Sequence, residues 1–222
     1  MSAPLTWGLL ATASIGGTVV RAVQGSAHTR FTAVASRDAD RAHRFADLYG
    51  VPRAFGSYQE LLASDVDAVY VALPVALHTE WTVKALQAGK HVLCEKPFAM
   101  TGDAAATAFD AADAAGRTAA EGFMWRYHPR TRLVQELVAG GAIGTVHQIR
   151  AALSVSAPPA VAVAGEDAVY RIELDRISRA ILAGEPLPWG RDDAVEQAAT
   201  LDALRESARR GAPVTLTAGA AR

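Results

Sequence analysis

Glu95-Lys96-Pro97 is the group of residues in this chain most suggestive of chemistry. Lysine is among the side chains that pass protons to and from reacting oxygens. The triplet follows His91-Val92-Leu93-Cys94, a short apolar run of the kind a parallel strand shows when both its faces are covered. In open parallel sheets, ligands gather outside the carboxyl ends of the strands. A charged pair at such an exit therefore outranks the same pair on a helix surface, where Glu95 and Lys96 would form only an ion pair.

A second group lies near the N-terminus. A dinucleotide-binding strand feeds G-x-G-x-x-G, and the following helix start holds the pyrophosphate. Here the strand feeds Ala11-Thr12-Ala13-Ser14-Ile15-Gly16, which keeps only the third glycine, with Gly8 three residues upstream of Ala11. Each alanine stays small but adds a methyl where a phosphate would approach the backbone. By itself the stretch reads equally as a plain strand-to-helix turn. Ser36-Arg37-Asp38 follows about twenty residues on, where the adenosine ribose is read. Arg37 with Ser36, and Arg41 one turn into the next helix, suit a 2′-phosphate and favour NADP over NAD; the alternative is an exposed loop arginine.

These groups need a sheet to position them. Leu5 to Thr12, Phe31 to Ala35, Val69 to Leu73, His91 to Cys94 and Thr118 to Met124 read as strands. Helices are expected over Ile15 to Gln24, Asp40 to Tyr49, the stretch around Trp81 to Ala88, and Asp103 to Ala115. Ser57 with Glu60 forms a capping box at another helix start. Gly50, Gly89 and Gly116 are stop signals. This β-α repetition predicts an α/β fold with a doubly wound parallel sheet. Beyond it, Pro129 to Val138 reads as a helix and Val146 to Val155 as a strand. Two amphipathic helices, Ala168 to Ala183 and Ala194 to Arg210, precede a short closing strand, Val214 to Leu216.

Composition narrows the class. The chain has 222 residues, is 50% hydrophobic and 20% charged, and carries a formal net charge of −1. That balance gives no electrostatic footprint for nucleic acid or an anionic membrane. A lone cysteine, Cys94, permits no internal disulfide and suits a reducing compartment. No leader pattern or spanning apolar stretch is read, so a cytoplasmic location is expected.

The Ala11–Gly16 turn, Leu73-Pro74 followed by His78, AGKHVLCEKPFAM and GFMWRYHPR together resemble the Gfo/Idh/MocA oxidoreductases. The resemblance runs from Leu5 to about Val155 and resumes near Tyr170. It implies a Rossmann cofactor domain over residues 1–124, and over residues 125–222 a reduced α+β substrate or oligomerisation portion. Lys96 would be catalytic, standing beside the nicotinamide and exchanging a proton with a substrate hydroxyl. A lysine desolvated there would have its pKa lowered. Glu95 would face the nicotinamide ribose, and Pro97 would shape the turn through a cis bond to Lys96. Leu73, Pro74 and His78 would line the cofactor channel, and Trp125 and Arg126 would close over the dinucleotide. His78 as a helix cap and Trp125 as plain packing are the alternatives.

The resemblance also shows a gap. Family members carry an open sheet that builds the substrate pocket and commonly a dimer interface. Here SAPPAVAVAG leads directly into the terminal helices, so a stretch on the order of 100 residues, a domain's worth, is missing near 155–168. The family's second catalytic group lies in that stretch. Either the chain is a cofactor-binding remnant, or residues of a longer molecule are absent from it. The expected activity is NADP-dependent hydride transfer with a sugar, polyol or similar small molecule. A silent dinucleotide-binding protein is the alternative, and the uncovered edges suggest a homo-oligomer.

Overall fold

A computed structural model of the chain describes residues 3–148, 150 and 166–216. Six strands form one sheet: β1 (Leu5–Leu10), β2 (Thr29–Ala35), β3 (Arg53–Phe55), β4 (Ala68–Val71), β5 (His91–Glu95) and β6 (Ala119–Gly122). All neighbouring pairs are parallel, in the order β3-β2-β1-β4-β5-β6. The sheet is therefore doubly wound, with its direction of growth reversing between β1 and β4.

Side chains alternate between the two faces of each strand. Leu10, Val69, Val71, Val92 and Cys94 point to one face. There they meet Leu61 of α3 (Tyr58–Leu62), Trp81 of α4 (His78–Gln87) and Phe109 of α5 (Gly102–Ala115). Trp7, Leu9, Tyr70 and Leu93 point to the other, against Val19 of α1 (Ser14–Ala22) and Phe45 of α2 (Ala39–Tyr49). Fully burying a side chain such as Leu9 or Leu93 contributes roughly 1.5–3 kcal/mol.

The helix boundaries follow local chemistry. Asp38, Ser57 and Thr101 accept the backbone N–H groups of Arg41, Glu60 and Ala104 at 3.1, 3.2 and 3.2 Å, capping α2, α3 and α5. Such caps are each worth about 0.5–2 kcal/mol. The Glu60 carboxylate reaches back to the N–H of Gly56, one residue before the cap, completing the box. Gly50 and Gly116 end α2 and α5 in the left-handed conformation, with φ of 69° and 60°.

The last two helices close the sheet. Following α6 (Pro129–Ala139), α7 (Glu166–Ala183) lays Leu174 and Ile177 on the α1 face, and α8 (Arg191–Arg210) lays Ala194 and Ala198 on the α5 face. α7 is pinned by hydrogen bonds as well. Trp7 Nε1 donates to Ser178 Oγ at 3.0 Å, and the Ser26 and Thr29 hydroxyls donate to Asp175 Oδ1 at 2.6 and 2.8 Å.

Several expected boundaries change. β6 stops at Gly122, and Met124–Tyr127 form a 3₁₀ turn instead of the strand's end. A second such turn, Val75–Leu77, precedes α4. Residues 146–148 and 150 are not strand, and the rest of the strand expected at Val146–Val155 lies outside the described residues. Val214–Leu216 is not strand either. A strand needs a neighbour for its N–H and C=O groups, and among the described residues neither segment has one. The expected gap at 155–168 also falls largely outside the described residues.

Candidate active site

The reversal point opens a cleft of about 370 Å³ at the carboxyl ends of β1, β4 and β5. Ile15, Leu73, His78, Glu95, Lys96 and Tyr170 are among its lining residues. Positions scattered over the sequence thus share one wall.

On one side is the start of α1. Ala11 adopts a φ of 96°, a left-handed conformation that alanine takes at a cost of about 1–3 kcal/mol. Its N–H is held by Ala35 O at 3.1 Å. Thr12 and Ala13 carry the chain into the helix, where Ala13 is the N-cap and offers no side-chain hydrogen bond. The first turn contains no acidic residue. α2, α3 and α5 each have both a side-chain cap and a first-turn acid. The start of α1 therefore keeps backbone N–H groups and the positive end of the helix dipole for an anion. Gly16 brings this helix close to its strand, since a Cβ there would stand 2.6 Å from Leu9 Cδ2.

On the other side is the β5 exit. Tyr70 donates its phenol proton to Glu95 Oε1, and the Lys96 N–H donates to Oε2 at 3.1 Å. The Lys96–Pro97 bond is cis. His78, the first residue of α4 and 2% exposed, places Nδ1 2.9 Å from Pro97 O and Nε2 2.7 Å from Leu73 O. The ring thereby links the β4 exit to the turn beside Lys96. With one ring proton only one of these contacts is a hydrogen bond; with two, both are. Behind the turn, Glu121 Oε1 accepts the Phe98 N–H and Gln197 Nε2, each at 2.9 Å.

Buried acidic groups stand near Glu95. Burial pushes the Glu173 carboxyl well above its usual range, with the Glu95 carboxylate adding to the shift. Burial also raises Glu121 and, reinforced by Glu95, the Tyr70 phenol. Cys94 is fully buried and its thiol is pushed up by that burial, which makes it inert packing. Lys96 departs from expectation. It is exposed instead of desolvated.

The residues expected to read the adenosine ribose lie at the β2 exit. Ser36 is buried and its Oγ accepts the Asp38 N–H at 3.3 Å. Asp38 spends its carboxylate on the α2 cap, which leaves the exposed Arg37 and Arg41 as the polar groups facing outward there. Pro74 is exposed and starts the Val75–Leu77 turn.

Trp125 and Arg126 are not among the cleft's lining residues. Trp125 packs near His128 and beneath Arg130. Arg126 pairs with Asp193, donates to Gln197 Oε1 at 2.8 Å and lies 3.9 Å from Glu121 Oε2. The residues that sequence reading missed are Tyr70, Tyr170, Met124, Glu121 and Gln197. Tyr70 carried a signal, as a lone hydroxyl in an otherwise apolar strand; the others act across long sequence separations.

A doubly wound parallel sheet with an open helix start and a charged strand exit at its reversal point defines a dinucleotide-binding α/β protein. The family model described as the oxidoreductase family with NAD-binding Rossmann fold, Gfo/Idh/MocA, matches residues 7–123, and the chain belongs to that family. It is 48% identical over 146 residues to D-xylose 1-dehydrogenase (NADP(+)) 2 of Haloferax volcanii, covering 64% of this chain and 45% of that protein. It is 42% identical over 154 residues to a dTDP-3,4-didehydro-2,6-dideoxy-alpha-D-glucose 3-reductase of Streptomyces violaceoruber, covering 69% and 44%. Among solved structures it resembles a 3-ketoreductase from Actinomadura kijaniata in complex with TDP-benzene and NADP. That match has 40% identity and a TM-score of 0.60, and covers 64% of this chain and 45% of the other. The chain thus spans a little under half the length of these relatives. Among the described residues no helix is long and apolar enough to cross a membrane.

Proposed function

We propose that this chain is the cofactor-holding and hydride-transferring part of an NADP-dependent oxidoreductase acting on a hydroxyl or carbonyl carbon of a sugar or related small molecule. One observation carries the reading: the first turn of α1, through Ile15, and Lys96 line the same cleft. The relatives support NADP, since one is named for it and another was solved with it. Their names also point to sugar-like substrates. Residues 1–124 form the cofactor half in this reading. Residues 125–222 are what remains of the substrate half, with α7 and α8 lending their apolar faces to the first.

The open α1 start fits a pyrophosphate, and Arg37 with Arg41 fit a 2′-phosphate. When bound, the nicotinamide supplies or accepts hydride. Ala11 to Ile15 bind the phosphates, while Leu73 and His78 form the wall of the channel. Glu95, held by Tyr70 and the Lys96 N–H, accepts hydroxyl hydrogen bonds from the ribose side. Lys96 Nζ gives a proton to a carbonyl oxygen during reduction, or takes it from the hydroxyl in the reverse direction.

The exposure of Lys96 favours a second reading, a silent dinucleotide-binding protein in which nothing holds a substrate against the lysine. One assay separates the two: turnover of NADPH or NADP over a panel of sugars and dicarbonyls, for the chain and for Lys96→Ala. Enzyme behaviour is turnover that falls about 10²–10⁴-fold in the variant, with dinucleotide affinity retained. Binding with no turnover on any substrate favours the silent protein. Failure to bind either dinucleotide sinks both readings.

A further inference from the structure

Behind the β6 exit, α6, α7 and the loop joining α7 to α8 line a second, half-open cavity of about 560 Å³. That is within the size range of small-molecule sites, roughly 300–1,000 Å³. It shares no lining residue with the nicotinamide-side cleft. Four arginines line it, Arg126, Arg132, Arg176 and Arg179, together with Tyr127 and Trp189, and no Asp or Glu does.

The four arginines are not equivalent. Arg126 is paired with Asp193, and Arg132 Nε donates to Glu136 at 2.9 Å. Arg179 Nε donates to the backbone oxygen of Asp175 at 3.2 Å, and among the described residues no carboxylate pairs with it. Arg176 has no carboxylate partner among the described residues, and its charge acts on the neighbouring Tyr127 phenol. Asp175, next to Arg176 in sequence, accepts from Ser26 and Thr29 on the sheet side and lies 3.6 Å from Arg171 Nε, and Glu173, one turn before Arg176, is buried. Arg176 and Arg179 stand one turn apart on α7, so their guanidinium groups share a face. Between them they offer two planar forks, the geometry that binds phosphate bidentately. Trp189, with Arg126 lying 5.3 Å over its ring, supplies a flat apolar wall beside them.

We propose that this cavity is a binding site for a phosphate monoester, with the dianion on Arg176 and Arg179 and the carbon body against Trp189. The site is independent of the nicotinamide reading and stands or falls without it. Calorimetric titration of the full chain with glucose 6-phosphate, inorganic phosphate and glucose tests it. The expected result is saturable binding of glucose 6-phosphate, weaker binding of inorganic phosphate and none of glucose. Arg176→Glu with Arg179→Glu lowers the glucose 6-phosphate affinity at least tenfold, whereas Arg37→Glu, at the β2 exit, leaves it unchanged. Both α7 positions are exposed, and Arg176→Lys with Arg179→Lys keeps the charge while removing the forks, with an intermediate loss expected. No saturable binding, or binding that survives both pairs of substitutions, overturns the proposal. So does a loss on Arg37→Glu equal to that of the charge reversal, which would assign the phosphate to the dinucleotide site.

Discussion

α6 and α7 carry similar apolar residues and meet opposite fates. Leu174 and Ile177 of α7 are 0% and 1% exposed against the sheet, whereas Leu133 and Leu137 of α6 are 54% and 45% exposed. Ile143 and Val146, just after α6, are 65% and 41% exposed. An amphipathic helix becomes stable mostly by burying its apolar face, and α7 does so while α6 finds no cover among the described residues. Among the described residues the difference separates a helix that the sheet covers from one that it does not. Among the described residues the doubly wound sheet has its caps and its pinned α7, whereas α6 leaves Leu133 and Leu137 exposed.

The comparison is easiest to break through stability. Leu174→Ala should cost about 2–5 kcal/mol, because a fully buried leucine leaves a cavity. Leu137→Ala should stay within about 0.5 kcal/mol. Urea unfolding of both variants checks this, and equal losses would mean that α6 is as well packed as α7.

A smaller effect is expected at the β2 exit. Arg37→Glu should weaken NADP binding about tenfold, near 1.4 kcal/mol, and leave NAD binding unchanged. Affinities for the two dinucleotides measured side by side decide it. A parallel loss for both would remove Arg37 from 2′-phosphate recognition.

The smallest effect is expected at the buried carboxyl of α7. Glu173 has its carboxyl raised above the ordinary value of 4.5, chiefly by burial. A raised group in the folded state gives stability that is whole below the unfolded value and is lost as pH rises through the folded one. Glu173→Gln removes that loss. The variant and the parent chain should melt alike near about pH 4, and at alkaline pH the variant should melt about 2–4 °C higher for each kcal/mol recovered. A constant difference across pH would mean that the carboxyl is not the cause.

Much of the cofactor half was legible in the sequence because its signals are local. Short apolar runs gave β4 and β5, Ser57 with Glu60 gave a helix start, and Gly50 and Gly116 gave helix ends. Even Glu95-Lys96-Pro97 could be placed at a strand exit. What stayed hidden is long-range. Trp7 and Ser178 are 171 residues apart, and no window of sequence shows that α7 docks on β1. The Tyr70–Glu95 bond spans two strands, so Tyr70 read only as core. β3 is three residues long and Arg53 begins it, too short and polar for an alternation signal. Val146 and Val214 have strand propensity but no neighbour to pair with, and propensity without a partner does not make a strand. The degenerate glycine turn looked weak for the same local reason: the sequence shows Ala11 but not its left-handed φ.

The central claim is that the open start of α1 holds the phosphates of a dinucleotide. Fluorescence titration of the chain and of Ser14→Asp with NADPH tests it directly. Ser14 is exposed, and an acid in the first turn favours the helix by about 0.3–1 kcal/mol while repelling a phosphate. The expected result is saturable binding to the parent chain, with affinity lower by about 10–100-fold in the variant, near 1.4–2.7 kcal/mol, at an equal or slightly higher melting temperature. Equal affinity in the two proteins, or no binding to the parent chain, would contradict the account.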